Sequence, residues 1–405
     1  MNALRVALLA ALLAVSGVAH GQQVGAADVA PPLRPAVETY RAGDLAAAEA
    51  AFRALASSNA DAEAWLGAVQ LDRGADREGL RHIQHAAEAG SSEGQHRLAL
   101  VYALGLAGTP RNDSRAVELF EKAAAAGNAR AQLNLGILYM RGQGVTADLI
   151  QARAWLEKAA AGGDPQALYA LGRALSETAG QAGPDPLRAA DLYRRAAEKG
   201  HALASLRYGL ALSEGNGIKR DPVAAQRWLI QAQEGGIPEA ALALGDMAAR
   251  TPASRDKATN EKIVQSALSW YQGAANGGVP SAQFKIANAY FAGVGVPRDP
   301  AQAQLWYSRA AQQGLPQAQH ALGIMLIGGV AGTPDPVEGY KWLLLAEKGG
   351  HADSRVVREK AAEQIAEPDR KRAEAAAQRF VPTSERPTDD APAARVNAPG
   401  TPSNR

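Results

Sequence analysis

A repeat limits what this chain can fold into more than any other feature. A glycine closes an alanine-rich stretch at Gly90, Gly127, Gly163, Gly200, Gly236, Gly278, Gly314 and Gly350, at intervals of 36 or 37 residues with one of 42. Four residues before each stands an alanine: Ala86, Ala123, Ala159, Ala196, Ala232, Ala274, Ala310 and Ala346. Eight before it stands a large side chain: His82, Leu119, Trp155, Leu192, Trp228, Trp270, Trp306 and Trp342. Positions four and eight apart share one face of a helix. A period of this length marks units that cannot bury their apolar face alone and so must stack on their neighbours.

Each unit reads as two helices. After the glycine come a small residue at +4, a large one at +8 and Gly or Ala at +9, as in Leu98-Ala99, Leu135-Gly136, Leu171-Gly172, Tyr208-Gly209, Leu244-Gly245, Ile286-Ala287 and Leu322-Gly323. Glycine inside a helix costs about 1 kcal/mol against alanine, so its return at one register predicts close approach of the partner helix. Asp-Pro opens the second helix at Asp185-Pro186, Asp221-Pro222, Asp299-Pro300 and Asp335-Pro336. There Asp accepts from the free N–H groups as N-cap, and Pro fits the first helical position. The closing glycine supplies a left-handed C-cap.

The stretches from Trp155 to Gly172 and from Gly293 to Gly314 resemble the Sel-one-like repeat (SLR) family, a branch of the tetratricopeptide-like solenoids, and the resemblance covers residues 59–350. It implies an all-α fold: a right-handed α/α solenoid of about eight helical hairpins, with first helices lining a concave surface. Two units depart from the pattern. The one ending at Gly90 carries His82 in the aromatic slot, and the one ending at Gly278 has an insertion over residues 251–262 and no Asp-Pro start. Residues 36–58 read as a tetratricopeptide-like hairpin after a lead-in at 22–35. Residues 351–380 read as a pair of charged capping helices, with Pro368 at a helix start. From residue 381 to 405 Pro, Thr, Asp, Asn and Ser dominate, and the expectation is a disordered tail.

Residues 1–21 carry one charge, Arg5, then an apolar run from Val6 to Val15, and then Ser16 to Gly21 with small residues at Ala19 and Gly21. This predicts a signal peptide cleaved near Gly21, and hence a periplasmic or secreted protein; no stretch is long enough to span a membrane. A net charge of +2 offers no basic field for nucleic acid. The absence of cysteine excludes disulfides, thiolate metal sites and catalytic thiols.

Short catalytic patterns have plainer readings. Gly90-Ser91-Ser92-Glu93-Gly94 matches a nucleophile elbow but falls on a helix-to-helix turn rather than on the strand-to-helix turn that chemistry needs. Ser254-Arg255-Asp256-Lys257 matches the serine and lysine of penicillin-recognising enzymes without companion motifs. His82, His85 and His96 would bind zinc only if they converged. The tryptophans at one register read as inter-helix core. No cofactor or metal is expected.

Subtracting the consensus leaves a variable polar stripe on the first helices. Its candidate partner-binding residues are Arg97, Arg130, Asn134, Arg173, Arg207, Asp246, Lys285 and Asn288, with Glu93, Arg141 and Glu177 on the same stripe. Extended solenoid surfaces bind proteins. The expected function is therefore a non-catalytic periplasmic scaffold that holds envelope proteins on its concave face, in exopolysaccharide export or envelope signalling as the resemblance implies. The alternative is a cell-wall or β-lactam hydrolase of the cysteine-rich SLR type.

Overall fold

The computed structural model describes residues 30–177 and 183–385, and its helices among these number twenty, with no β-strand. The chain divides into two compact units, Met1–Asp221 and Pro222–Arg405. The first holds α1 (Arg34–Arg41), α2 (Leu45–Ala56), α3 (Ala60–Asp72), α4 (Asp76–Glu88), α5 (Ser92–Leu104), α6 (Asp113–Ala125), α7 (Ala129–Arg141), α8 (Leu149–Ala160), α9 (Pro165–Ser176), α10 (Pro186–Glu198) and α11 (Ala202–Glu214). The second holds α12 (Pro222–Glu234), α13 (Pro238–Ala249), α14 (Lys257–Asn276), α15 (Pro280–Ala292), α16 (Pro300–Gln312), α17 (Pro316–Gly328), α18 (Pro336–Lys348), α19 (Asp353–Ala362) and α20 (Glu367–Arg379). Within each unit each helix packs on the next in sequence, except that α19 and α20 both pack on α18. In the first unit α3 also touches α5, and α7 touches α9, so the odd-numbered helices form a layer of their own.

Local chemistry sets the boundaries. All eight closing glycines adopt left-handed φ between 73° and 91°, a region where a Cβ is strained. Asp185, Asp299 and Asp335 accept from the backbone N–H three residues on, each followed by the helix-starting proline. The second half of the insertion at 251–262 becomes extra helix: α14 starts at Lys257, capped by Asp256, and runs for 20 residues, while residues 251–256 form an irregular turn before it.

The core corrects the expectation for the aromatic register. Trp306 and Trp342 are buried, but Trp155, Trp228 and Trp270 are only half-buried. The residue one place later, seven before the glycine, is buried in every unit: Ile83, Phe120, Leu156, Tyr193, Leu229, Tyr271, Tyr307 and Leu343. It meets the +9 position. A Cβ on Gly172 would lie 2.7 Å from the Tyr193 ring, and one on Gly245 would lie 2.5 Å from that of Tyr271. The repeated glycines therefore make room for a partner side chain.

At the C-terminal end α19 and α20 pack on α18, burying Tyr340, Ala361, Ile365 and Ala373 together. Residues 381–385, expected to belong to a disordered tail, instead lie against the second unit. Phe380 stacks edge-on against Trp342 with centroids 5.5 Å apart, and Thr383 N–H donates to the Gln312 carbonyl at 3.0 Å. A polar sequence can dock where helix ends leave unpaired carbonyls, which composition does not reveal. The signal segment, most of the lead-in and residues 386–405 lie outside the described residues.

Candidate functional site

The stripe splits into residues consumed by the protein itself and residues left facing outward. At the start of the first unit, Arg97 Nε lies 2.6 Å and Arg130 Nη2 lies 2.9 Å from the two carboxylate oxygens of Glu93. The Arg97 guanidinium also rests 3.8 Å above the centre of the buried Trp65 ring. Trp65 in turn stacks on Phe52 and meets Tyr40 edge-on. Burial pushes the Glu93 carboxyl upward, but the charges of Arg130 and Arg97 outweigh it and hold it at about 2. Burial, reinforced by Arg130, pulls His96 down to about 3, so it is a neutral imidazole against the buried Asn134 amide, 3.2 Å away. Arg97, Arg130 and Asn134 thus belong to an internal network rather than to a free binding stripe. A buried charge needs a partner within the fold, and Glu93, also on the stripe, supplies it.

Farther along α7 and α9 the stripe is open. A shallow pocket is lined by Ile137, Met140, Arg141, Gln166, Tyr169, Ala170, Arg173 and Glu177. Tyr169 forms a rigid floor, stacked on His201 with centroids 4.6 Å apart and tilted against Tyr193. Arg141, at the C-terminal end of α7, has its pKa lowered by partial burial and by the charge of Arg173 across the pocket. Glu177 is the near carboxylate, 3.8 Å from Arg173. Burial raises the Tyr193 phenol, and the charges of Arg207 and Arg173 oppose that shift. Two guanidiniums, Arg141 from α7 and Arg173 from α9, therefore flank a tyrosine-lined apolar floor. Of the predicted residues Arg173 borders the pocket, while Arg207 is exposed on α11 and is not among its lining residues; Arg141 is the second cation there.

In the second unit the stripe again pairs with itself. Lys285 Nζ lies 3.1 Å from Asp246 Oδ1, which also accepts from the Tyr271 hydroxyl at 2.8 Å. The exposed Asn288 accepts from Tyr307, whose phenol is pushed up to about 12 by burial. These tyrosines occupy the core register seven before the glycine. Reading that register alongside the one eight before it would have found them.

The catalytic patterns resolve into structure. Ser254 Oγ accepts from the Asp256 backbone N–H, and Lys257 is 92% exposed, 3.8 Å from Glu261, so no lysine base faces that serine. Ser91 caps α5 by accepting from Gly94 N–H and donates to Asp61. His82 and His85 share the Glu63 carboxylate, while His96 lies against Asn134. No group of three or more metal-ligating side chains converges among the described residues.

The family model of the Sel1 repeat matches residues 92–128, 129–164, 165–201, 202–236, 280–315 and 316–351, more than half of the chain. The stretches it passes over include the two units that carry His82 and the insertion. A solved Sel1 repeat protein from Oxalobacter formigenes is 28% identical, covers 87% of this chain and 99% of its own, and superposes with a TM-score of 0.60. The ERAD-associated E3 ubiquitin-protein ligase component HRD3B of Arabidopsis thaliana is 35% identical over 106 residues, 26% of this chain and 16% of that protein. Chitin synthase regulatory factor 3 of Schizosaccharomyces pombe is 29% identical over 230 residues, 54% of this chain and 24% of that protein. The chain thus spans less than a quarter of either curated relative.

Proposed function

Because the chain belongs to the Sel1 repeat family, we propose that it is a non-catalytic protein-interaction scaffold whose odd-numbered helices in the first unit receive an extended segment of another protein. The observation that carries this reading is the pocket at α7 and α9, where Arg141 and Arg173 flank an apolar floor of Ile137, Met140 and Tyr169. Two guanidiniums against one carboxylate leave the pocket cationic. The segment it fits has an acidic residue beside an apolar one. Arginine suits this role because its planar fork binds carboxylates bidentately and stacks on aromatic faces. The relatives' names, a ligase component and a synthase regulatory factor, support a role in serving other proteins.

The N-terminal apolar run supports an exported, periplasmic location, and no helix among the described residues is long and apolar enough to cross a membrane. Envelope proteins are then the partners, in export or signalling assemblies. The hydrolase alternative has no specific support in the surroundings of Ser254.

The test uses labelled extended peptides in which acidic residues alternate with leucine or phenylalanine, and a matched panel with lysine replacing the acids. The acidic panel should bind the wild-type chain, and Arg141→Glu/Arg173→Glu should abolish binding without loss of helicity. Equal binding of both panels, or binding that survives the double change, would place recognition elsewhere.

A further inference from the structure

The second unit carries a different peptide contact, and its occupant is the chain's own C-terminal segment. After α20 the chain leaves the helix at Phe380, whose backbone is extended, and crosses the ends of α15 and α16. Phe380 is half-buried against Trp342. Pro382 covers Gly314, where an added Cβ would lie 3.1 Å from its ring. Thr383 N–H donates to the Gln312 carbonyl at 3.0 Å, one of the helix-end carbonyls with no intrahelical partner. Glu385 N–H donates to Gln313 Oε1 at 3.4 Å. Its carboxylate accepts from Gln283 Nε2 at 2.6 Å and from Arg309 Nε at 3.1 Å.

The receiving surface is organised independently of the strap. Gln283 is fully buried: its amide also donates to the Ala275 carbonyl, and its oxygen accepts from Gln313 Nε2 at 2.9 Å. Gln132 and Gln319 make the same bond to Ala124 and Ala311 in their own repeats, so the repeat itself fixes this glutamine. The Arg309 guanidinium lies 4.7 Å from the centre of the Trp306 ring, which holds the cation in place. The strap is less secured: residues 381–384 are exposed, Val381 at 75%. Its hold includes a few hydrogen bonds, one ion pair and the contacts of Phe380 and Pro382.

We propose that this edge of α15 and α16 is a peptide-recognition groove, that it reads an extended segment bearing an aromatic residue, a proline two places on and a carboxylate three beyond that, and that residues 380–385 fill it as a displaceable internal ligand. A partner protein exposing the same pattern would compete with the strap. This site is separate from the pocket at α7 and α9, and either can fail alone.

The experiment titrates a labelled synthetic peptide of residues 379–385 into the full chain and into full-length Pro382→Gly/Glu385→Gln, in which the strap loses its carboxylate. A strap that occupies the groove in nine molecules of ten lowers apparent affinity about tenfold, so the strap variant should bind the peptide up to about tenfold more tightly than wild type. A peptide with Gln in place of the glutamate should bind neither protein, and Arg309→Glu added to the strap variant should abolish binding while circular dichroism stays helical. Absence of peptide binding by the well-folded strap variant would overturn the proposal and leave 380–385 as a structural brace. Equal affinity in wild type and strap variant, or indifference to Arg309→Glu, would overturn it as well. If the double variant fails to fold, single Glu385→Gln in the same titration decides the matter by the same outcomes.

Discussion

Leu156 fills the notch left by Gly136: a Cβ at that glycine would lie 2.6 Å from Leu156 Cγ and 3.2 Å from the Ala152 carbonyl oxygen. The pair fixes how closely α7 and α8 cross. Gly136→Leu should overpack this crossing and cost about 1–3 kcal/mol, read as a lower denaturation midpoint. Gly162→Ala, where nothing lies within 4 Å of the added carbon, should leave the midpoint unmoved. Equal midpoints for both variants would contradict the packing described.

Glu93 neutralises two arginines in a buried site. Removing it with Glu93→Ala leaves Arg97 and Arg130 beside Trp65 without a counter-charge, and breaking a buried pair in this way costs about 3–5 kcal/mol. Urea unfolding should show that loss, and reversal of Arg194, an exposed residue paired with Asp191 and Glu198, should cost far less. Similar losses from both would mean that the Glu93 cluster is solvated.

Acid should destabilise the first unit before it protonates most carboxylates. Burial lowers His96 to about 3 and His201 to about 4. Between those values and the ordinary histidine range the unfolded chain binds protons that the folded one does not, so stability falls as pH drops from about 6.5. Glu93, held at about 2 against burial by Arg130 and Arg97, adds to the loss below the ordinary carboxylate range. His85 acts in the opposite sense: its hydrogen bond to Glu63 raises its pKa, so its contribution is present at low pH and fades as pH rises. Melting temperature should fall from pH 7 to pH 5, and His201→Asn, which retains a capping side chain for Ala204 N–H, should make that fall shallower. A steeper or unchanged dependence in the variant would contradict the assignment.

Much of the architecture was legible because backbone requirements leave a signature in residue type. The eight glycines announce left-handed caps, Asp185, Asp299 and Asp335 announce N-caps, and Gly136 and Gly172 announce close crossings. What spacing cannot show is whether a charge on a shared face is already neutralised. Arg97 and Arg173 hold equivalent-looking places on the stripe, yet Arg97 is paired with Glu93 against the Trp65 ring while Arg173 borders the open pocket. The strap was illegible for a related reason: Glu385 finds Gln283 and Arg309 far away in sequence, and no local pattern encodes that.

The central claim, that the pocket between α7 and α9 receives a partner segment, is tested most directly by site-specific photo-crosslinking in the native host. A photoreactive amino acid at Ala170, on the pocket floor, should capture a discrete protein, and Arg141→Glu/Arg173→Glu should erase that product. The same probe at Arg227, an exposed position on α12, should not capture it. Capture from Arg227 with none from Ala170, or a product at Ala170 that is indifferent to reversal of the two arginines, would contradict the account.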